Sequence, residues 1–163
     1  MSCLIGLKDV TKSYEEIVAL NRVSLKVMKG EILAIIGPNG SGKTTMLRIM
    51  AGIDKPTSGE IYFDGTKIHD GNMDKVRSRG TMIFQRTVLF NTNVYKNLAY
   101  GLKLRGYSKK EIKEKVKEAL RIVKLEGYEN RLAKRLSGGE QQRLSLARAL
   151  ILETKVVLLD EPT

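Results

Sequence analysis

The sequence predicts an α/β fold in three parts: an N-terminal antiparallel β-subdomain, a core built on a mainly parallel sheet, and a helical subdomain. Three observations carry that prediction. Val18, Leu20, Val23, Leu25 and Val27 fall largely on one side of extended chain, as in a sheet with one covered face. The runs 32–36, 81–84 and 156–159 are instead apolar almost throughout, as in strands covered on both faces. Ile112, Val116, Leu120 and Val123 recur at helical spacing, which makes one apolar stripe on a helix.

Taken in order, the alternating first thirty residues supply the antiparallel sheet. The run 32–36 is followed by a Gly-rich turn and a helix over about 43–51, the opening of a βαβ unit. Residues 60–63 and 66–68 flank Asp64-Gly65, a hairpin-type pair. A helix is predicted over about 109–125, where Ser108 and Glu111 make a capping box and Gly127 ends it. A last helix, about 139–152, leads into 156–159. The chain thus reads as one domain, 1–163. Its subdomains are 1–31 plus 59–69 (antiparallel β), 32–58 plus 70–90 plus 143–163 (core) and 91–142 (helical).

The 163 residues suffice for one domain with a sizeable core. A single cysteine, Cys3, excludes an internal disulfide framework and fits a reducing compartment. No apolar run approaches the length that a spanning helix needs, and no secretory leader pattern is present. Any membrane-spanning segments are therefore expected on another chain. The net charge of +11 is the unusual bulk feature. Between Lys103 and Arg135 twelve Lys and Arg stand against five Glu. The two aromatic residues of that segment, Tyr107 and Tyr128, are not spaced among the charges as stacking platforms would be, so the charge reads as a solvated helix face, and no nucleic-acid partner is expected.

Gly37, Pro38, Asn39, Gly40, Ser41, Gly42, Lys43 and Thr44 match G-x-x-x-x-G-K-[ST] between an apolar run and a helix, the context the motif needs. Glycines let backbone N–H groups turn inward around phosphate oxygens, and the helix dipole adds positive charge. Lys43 is then expected on the β- and γ-phosphates and the Thr44 hydroxyl on Mg²⁺. The run 156–159 ends in Asp160 and Glu161, placed beyond the carboxyl end of a strand where ligands of open α/β sheets sit. Asp160 suits a holder of Mg²⁺ and Glu161 a residue that orients or deprotonates the attacking water. Leu136-Ser137-Gly138-Gly139-Glu140 opens the last helix as a second anion-type N-terminus.

With that L-S-G-G-E segment the chain resembles the ATP-binding-cassette (ABC) ATPases, over essentially its whole length from Tyr14 and with four motifs in order. It looks importer-like, since no membrane domain is attached and 129–135 lack the Val-Gly-Glu-type loop of many exporters. The resemblance implies a P-loop NTPase core and Mg-ATP hydrolysis coupled to solute transport, with ATP and Mg²⁺ as cofactors. Tyr14 looks like the aromatic that stacks on adenine, and Gln85 like the Q-loop glutamine that contacts Mg²⁺ and water. Catalysis would fall to Glu161, Gln85 and Lys43, with Thr45 joining the nucleotide-binding set and Thr44, Gln85 and Asp160 the metal set. Two such subunits pair head to tail, so Ser137, Gly138, Gly139 and Glu140 would serve the partner's nucleotide.

Residues from about 85 to 102 resemble the part that meets separate transmembrane permease subunits. A solute-binding protein would fit the same system, at the cytoplasmic face of the membrane. The overall texture resembles importers of oxyanions such as molybdate and tungstate. The 163 residues stop soon after Glu161, before the family's D-loop and switch histidine. His69 lies too early to be that histidine and reads as an exposed loop residue. On that ground this stretch alone is expected to bind ATP but to hydrolyse it poorly. A soluble ABC-type ATPase and an inactive nucleotide-binding remnant stay open as alternatives.

Overall fold

A computed structural model describes residues 2–161, which fall into two compact units, one up to Met82 and one from Ile83. In the first, β1 (Cys3–Tyr14) lies between β2 (Ile17–Met28) and β3 (Ser58–Phe63), with β4 (Thr66–Ile68) outermost, all antiparallel. Leu7 faces Leu25 across one ladder and Ile61 across the other. The apolar parity of β2 changes between Leu20 and Val23, where Arg22 takes φ +48°. The ladder to β1 shifts register nearby. An extra residue in one strand restores the inward direction of the next side chain. The hairpin behaves as its sequence requires: Asp64 and Gly65 have φ +49° and +77°, the pair of positive values a two-residue turn of this hand demands.

Helix α1 (Lys43–Met50) packs on β1 and β2. It buries Met46, Leu47, Ile49 and Met50 with Ile5, Val10 and Leu20 of the sheet. The short α2 (Asp74–Arg79) adds Val76, and β5 (Gly80–Ile83) follows where the chain leaves this unit. His69 is exposed, as expected; its Nδ1 accepts from the Gly71 N–H at 3.2 Å and caps a single 3₁₀ turn.

The second unit is helical. It contains α3 (Val94–Leu104), α4 (Lys109–Ile122) and α5 (Gly138–Leu150), which pack on one another, and then β6 (Val156–Leu159). The predicted stripe of α4 is its buried face: Ile112, Val116, Leu120 and Val123 join Leu98, Leu102 and Leu144 in one cluster. Both reciprocal caps form, Ser108 with Glu111 and Ser137 with Glu140.

One expectation fails. Residues 32–36 are not a strand, and Ile32 and Ile36 are 99% and 94% exposed. An apolar run only demands cover. A strand also needs ladder partners for its N–H and C=O groups, and among the described residues none pairs with this segment. β6 does form but is covered at Leu158 alone, with Val157 and Leu159 37% and 42% exposed.

Leu120 is fully buried at the centre of the helical cluster. Leu120→Ala is expected to lower stability by about 2–5 kcal/mol, read from the midpoint of denaturant unfolding followed by helical circular dichroism.

Candidate nucleotide site

In the first unit the turn 37–42 delivers the chain into α1. Gly42 has φ +88°, and a Cβ there would lie 2.4 Å from the Ala19 carbonyl oxygen and 2.8 Å from Leu20 Cδ2. Only glycine combines that backbone with that approach, so the start of α1 seats directly against β2. The Lys43 Nζ donates to the carbonyls of Gly37 and Pro38 at 2.8 and 2.9 Å. Its ammonium is thereby folded back over the turn. Asn93, Ser108 and Ser137 cap α3, α4 and α5 with side-chain oxygens, whereas no side chain caps α1. The first N–H groups of a helix have no acceptor within it. Here they meet a turn with an ammonium beside it, and Pro38, Asn39, Gly40 and Ser41 are exposed around it. That arrangement fits a nucleotide's phosphates.

Tyr14 ends β1, 44% exposed. Its hydroxyl donates to Asp54 Oδ2 at 2.8 Å. Arg48 of α1 holds the same carboxylate from Nε at 2.8 Å and Nη2 at 3.0 Å. The Lys12 Nζ lies 4.8 Å from the Tyr14 ring centroid. The guanidinium of Arg48, and then the Tyr14 hydroxyl, hold the Asp54 carboxyl below its ordinary value against the opposing effect of desolvation. Desolvation first and Asp54 second push the Tyr14 phenol up. Thr45, on the first turn of α1, also meets the Tyr14 hydroxyl.

In the second unit the Gln85 amide donates to the Glu161 carboxylate, so two residues far apart in sequence meet. Asp160 is buried, and its N–H donates to the Ile83 carbonyl at 3.0 Å. Glu161 is exposed with φ +48°, a backbone costly for a non-glycine residue and frequent at functional positions. At α5 the Ser137 hydroxyl accepts from the Glu140 N–H at 3.4 Å, and the Glu140 carboxylate accepts from the Ser137 N–H at 2.7 Å. Those bonds lower the Glu140 pKa. Gly138 and Gly139 are exposed. Among the described residues no group of three or more His, Cys, Asp or Glu could hold a metal ion. Mg²⁺ bound with a nucleotide uses one or two protein donors and the phosphates themselves, and the Thr44 hydroxyl of the first unit is a donor of that chemistry.

Sequence reasoning missed three residues of these surroundings. Asp54 carries no motif. Asn97 is 2% exposed on α3 and accepts from the Phe90 N–H at 2.9 Å while its amide donates to the Phe90 carbonyl at 3.1 Å. A polar side chain within the apolar spacing of Val94 and Leu98 was its available signal. Arg148 of α5 donates to the Val88 carbonyl at 2.6 Å and lies 4.7 Å from the Phe90 ring centroid.

Comparison with known proteins supplies the rest. Residues 20–163 match the family model described as ABC transporter. The chain is 46% identical over 160 residues to a spermidine/putrescine import ATP-binding protein of Acetivibrio thermocellus, covering 98% of this chain and 45% of that protein. It is 43% identical to a Fe(3+) ions import ATP-binding protein of Escherichia coli O157:H7, covering 97% and 45%. It therefore spans just under half the length of these curated relatives. Among solved structures, the ATP-binding cassette MJ0796, a dimer in a post-hydrolysis state with ADP and Pi, superposes with a TM-score of 0.89 at 38% identity. That match covers 98% of this chain and 75% of the other. CbiO1 of Clostridium perfringens, part of the ABC transporter complex cbiONQ, gives 0.86 at 29% identity, covering 98% and 65%.

Gly42→Ala is expected to cost about 1–3 kcal/mol from its backbone alone and to weaken ATP binding, both measurable by thermal shift with and without Mg-ATP. The Asp54 carboxyl is held low in the folded chain, so its stabilising contribution is complete above the ordinary carboxylate value of about 3.9. It is lost as pH falls through the lower folded value. The stability gap between parent and Asp54→Asn should accordingly be larger at pH 7 than in acid, by denaturant midpoints.

Proposed function

The chain belongs to the ABC transporter family, and from that premise we propose that it is the ATP-binding part of an import system, converting Mg-ATP binding and hydrolysis into movement of a solute. The observation that supports this most is the start of α1: an uncapped helix end, seated on β2 by Gly42, with the Lys43 ammonium over the turn before it. The phosphates are assigned to residues 37–45 and the base to Tyr14. Mg²⁺ is assigned to Thr44, Gln85 and Asp160, and the attacking water to Glu161 with Gln85. In this reading Ser137, Gly138, Gly139 and Glu140 face the nucleotide of a second copy, in a head-to-tail homodimer.

For a membrane partner, the support is an exposed apolar surface. Val88, Phe90 and Tyr100 are 71%, 40% and 50% exposed within the segment 85–102 assigned to permease subunits. Among the described residues no helix is long and apolar enough to cross a membrane, which suits a peripheral place at the cytoplasmic face, next to a permease and a solute-binding protein. The cargo is read as a small charged solute. Relatives named for a polyamine and for ferric ion match this chain at 46% and 43% identity, and the overall texture suggests an oxyanion such as molybdate or tungstate, so the cargo is read no more finely than that.

Two substitutions in the full polypeptide test the assignment. Lys43→Ala should weaken ATP binding about tenfold or more, the loss of one charge-assisted contact. Glu161→Gln should keep binding and slow phosphate release by about 10²–10⁴. A Lys43→Ala protein with the parent's ATP affinity overturns the reading.

A further inference from the structure

Tyr14 is an exposed ring at the end of a strand, and such a ring ordinarily turns freely about χ1 and χ2. Here it does not. Its hydroxyl is hydrogen-bonded to Asp54, and the Asp54 carboxylate is gripped through both oxygens by the planar fork of Arg48. The backbone closes the same unit, with the N–H groups of Ile53 and Asp54 donating to the Arg48 carbonyl at 2.9 and 3.2 Å. Lys12 lies over one face of the ring. Arg48 sits five residues beyond Lys43 on α1, about 7.5 Å along the helix.

We propose that Asp54, fixed by Arg48, is a positioning residue that holds the Tyr14 ring in place for the adenine base, so that one helix sets both the phosphate cradle and the base platform. The inference rests on the reading of Tyr14 as the base-stacking residue. Its physical content is pre-organisation: a platform already ordered does not have to be ordered by the ligand, and that cost is removed from the binding free energy. Asp54 acts only through the phenol. The effect needs the para hydroxyl of tyrosine, and a phenylalanine at the same place would stack without being held. Phosphate recognition at Lys43 and the uncapped end of α1 does not pass through Asp54, so the contribution is confined to ligands that carry a base.

The test compares ATP with inorganic tripolyphosphate, which has the phosphates and no base, by equilibrium titration of the full polypeptide with Mg²⁺. Tyr14→Ala should weaken ATP about fivefold or more, the order of one base–aromatic stack, and leave tripolyphosphate unchanged. Asp54→Ala and Tyr14→Phe should each weaken ATP by a smaller factor, about threefold, again without effect on tripolyphosphate. The double substitution should lose no more than either alone, because both remove the same hydrogen bond. Asp54→Glu should recover part of the loss. If Tyr14→Ala leaves ATP and tripolyphosphate equally affected, the base-stacking assignment itself is wrong. If Tyr14→Ala is selective for ATP while Tyr14→Phe binds as the parent does, the stacking stands and the positioning role is overturned. An Asp54→Ala protein that weakens both ligands alike, with a lowered melting temperature, overturns it too, and Tyr14→Phe keeps the question answerable should Asp54→Ala not fold.

Discussion

The contact between Gly42 and the Ala19 carbonyl organises the first unit. No other residue fits there: a methyl group would lie at 2.4 Å from that oxygen, on a backbone with φ +88°. The contact fixes where α1 begins relative to β2, and α1 in turn buries Ile49 and Met50 against the sheet. The direction of its uncapped end, the reach of Lys43 and the height of Arg48 along its axis all follow from that seat. A phosphate cradle made of backbone is only as well placed as the sheet it stands on, and here the sheet is wide, bulged and continuous through β1.

The second unit solves the helix-end problem in the opposite way. Each of its three helices carries its own side-chain acceptor, and two of them close a reciprocal cap with a glutamate. Each such cap contributes about 1 kcal/mol, beside the burial of Leu98, Leu102, Leu120 and Leu144 in one cluster. The exposed basic residues of α4, Lys109, Lys110, Lys113, Lys117 and Arg121, supply five of the twelve positive charges between Lys103 and Arg135 as a solvated face. Asn97 ties the irregular segment at Phe90 to α3 with a fully used amide.

What the sequence made legible was whatever depends on neighbours in the chain. The Asp64-Gly65 turn, the Ser108–Glu111 box, the α4 stripe and the helix start at Lys43 are all short-range, and each appears within a few residues of its expected bounds. What depended on distant chain was not legible. The run 32–36 has the composition of a covered strand, yet cover and ladder come from elsewhere, and its isoleucines stand open. Asp54 matters only because β1 ends beside it, forty residues away from Tyr14. The meeting of Gln85 with Glu161 is of the same kind. Motif matching named both residues but could not have said that they touch. The alternation in β2 was visible, while the bulge at Arg22 that reconciles its two halves was not.

Arg148 gives the helical unit a mechanical property. Its guanidinium fastens the Val88 carbonyl and the Phe90 ring to the far part of α5, whose other end starts at Ser137, about 16 Å away along a rigid rod. Desolvation lowers its pKa, a cost of burying the cation that the bond to the Val88 carbonyl and the contact with the Phe90 ring offset. The stretch at Val88 and the glycines after Ser137 are therefore two ends of a lever with a fixed arm. Because α5 runs unbroken from Gly138 to Leu150, a tilt of that helix would carry both segments with it.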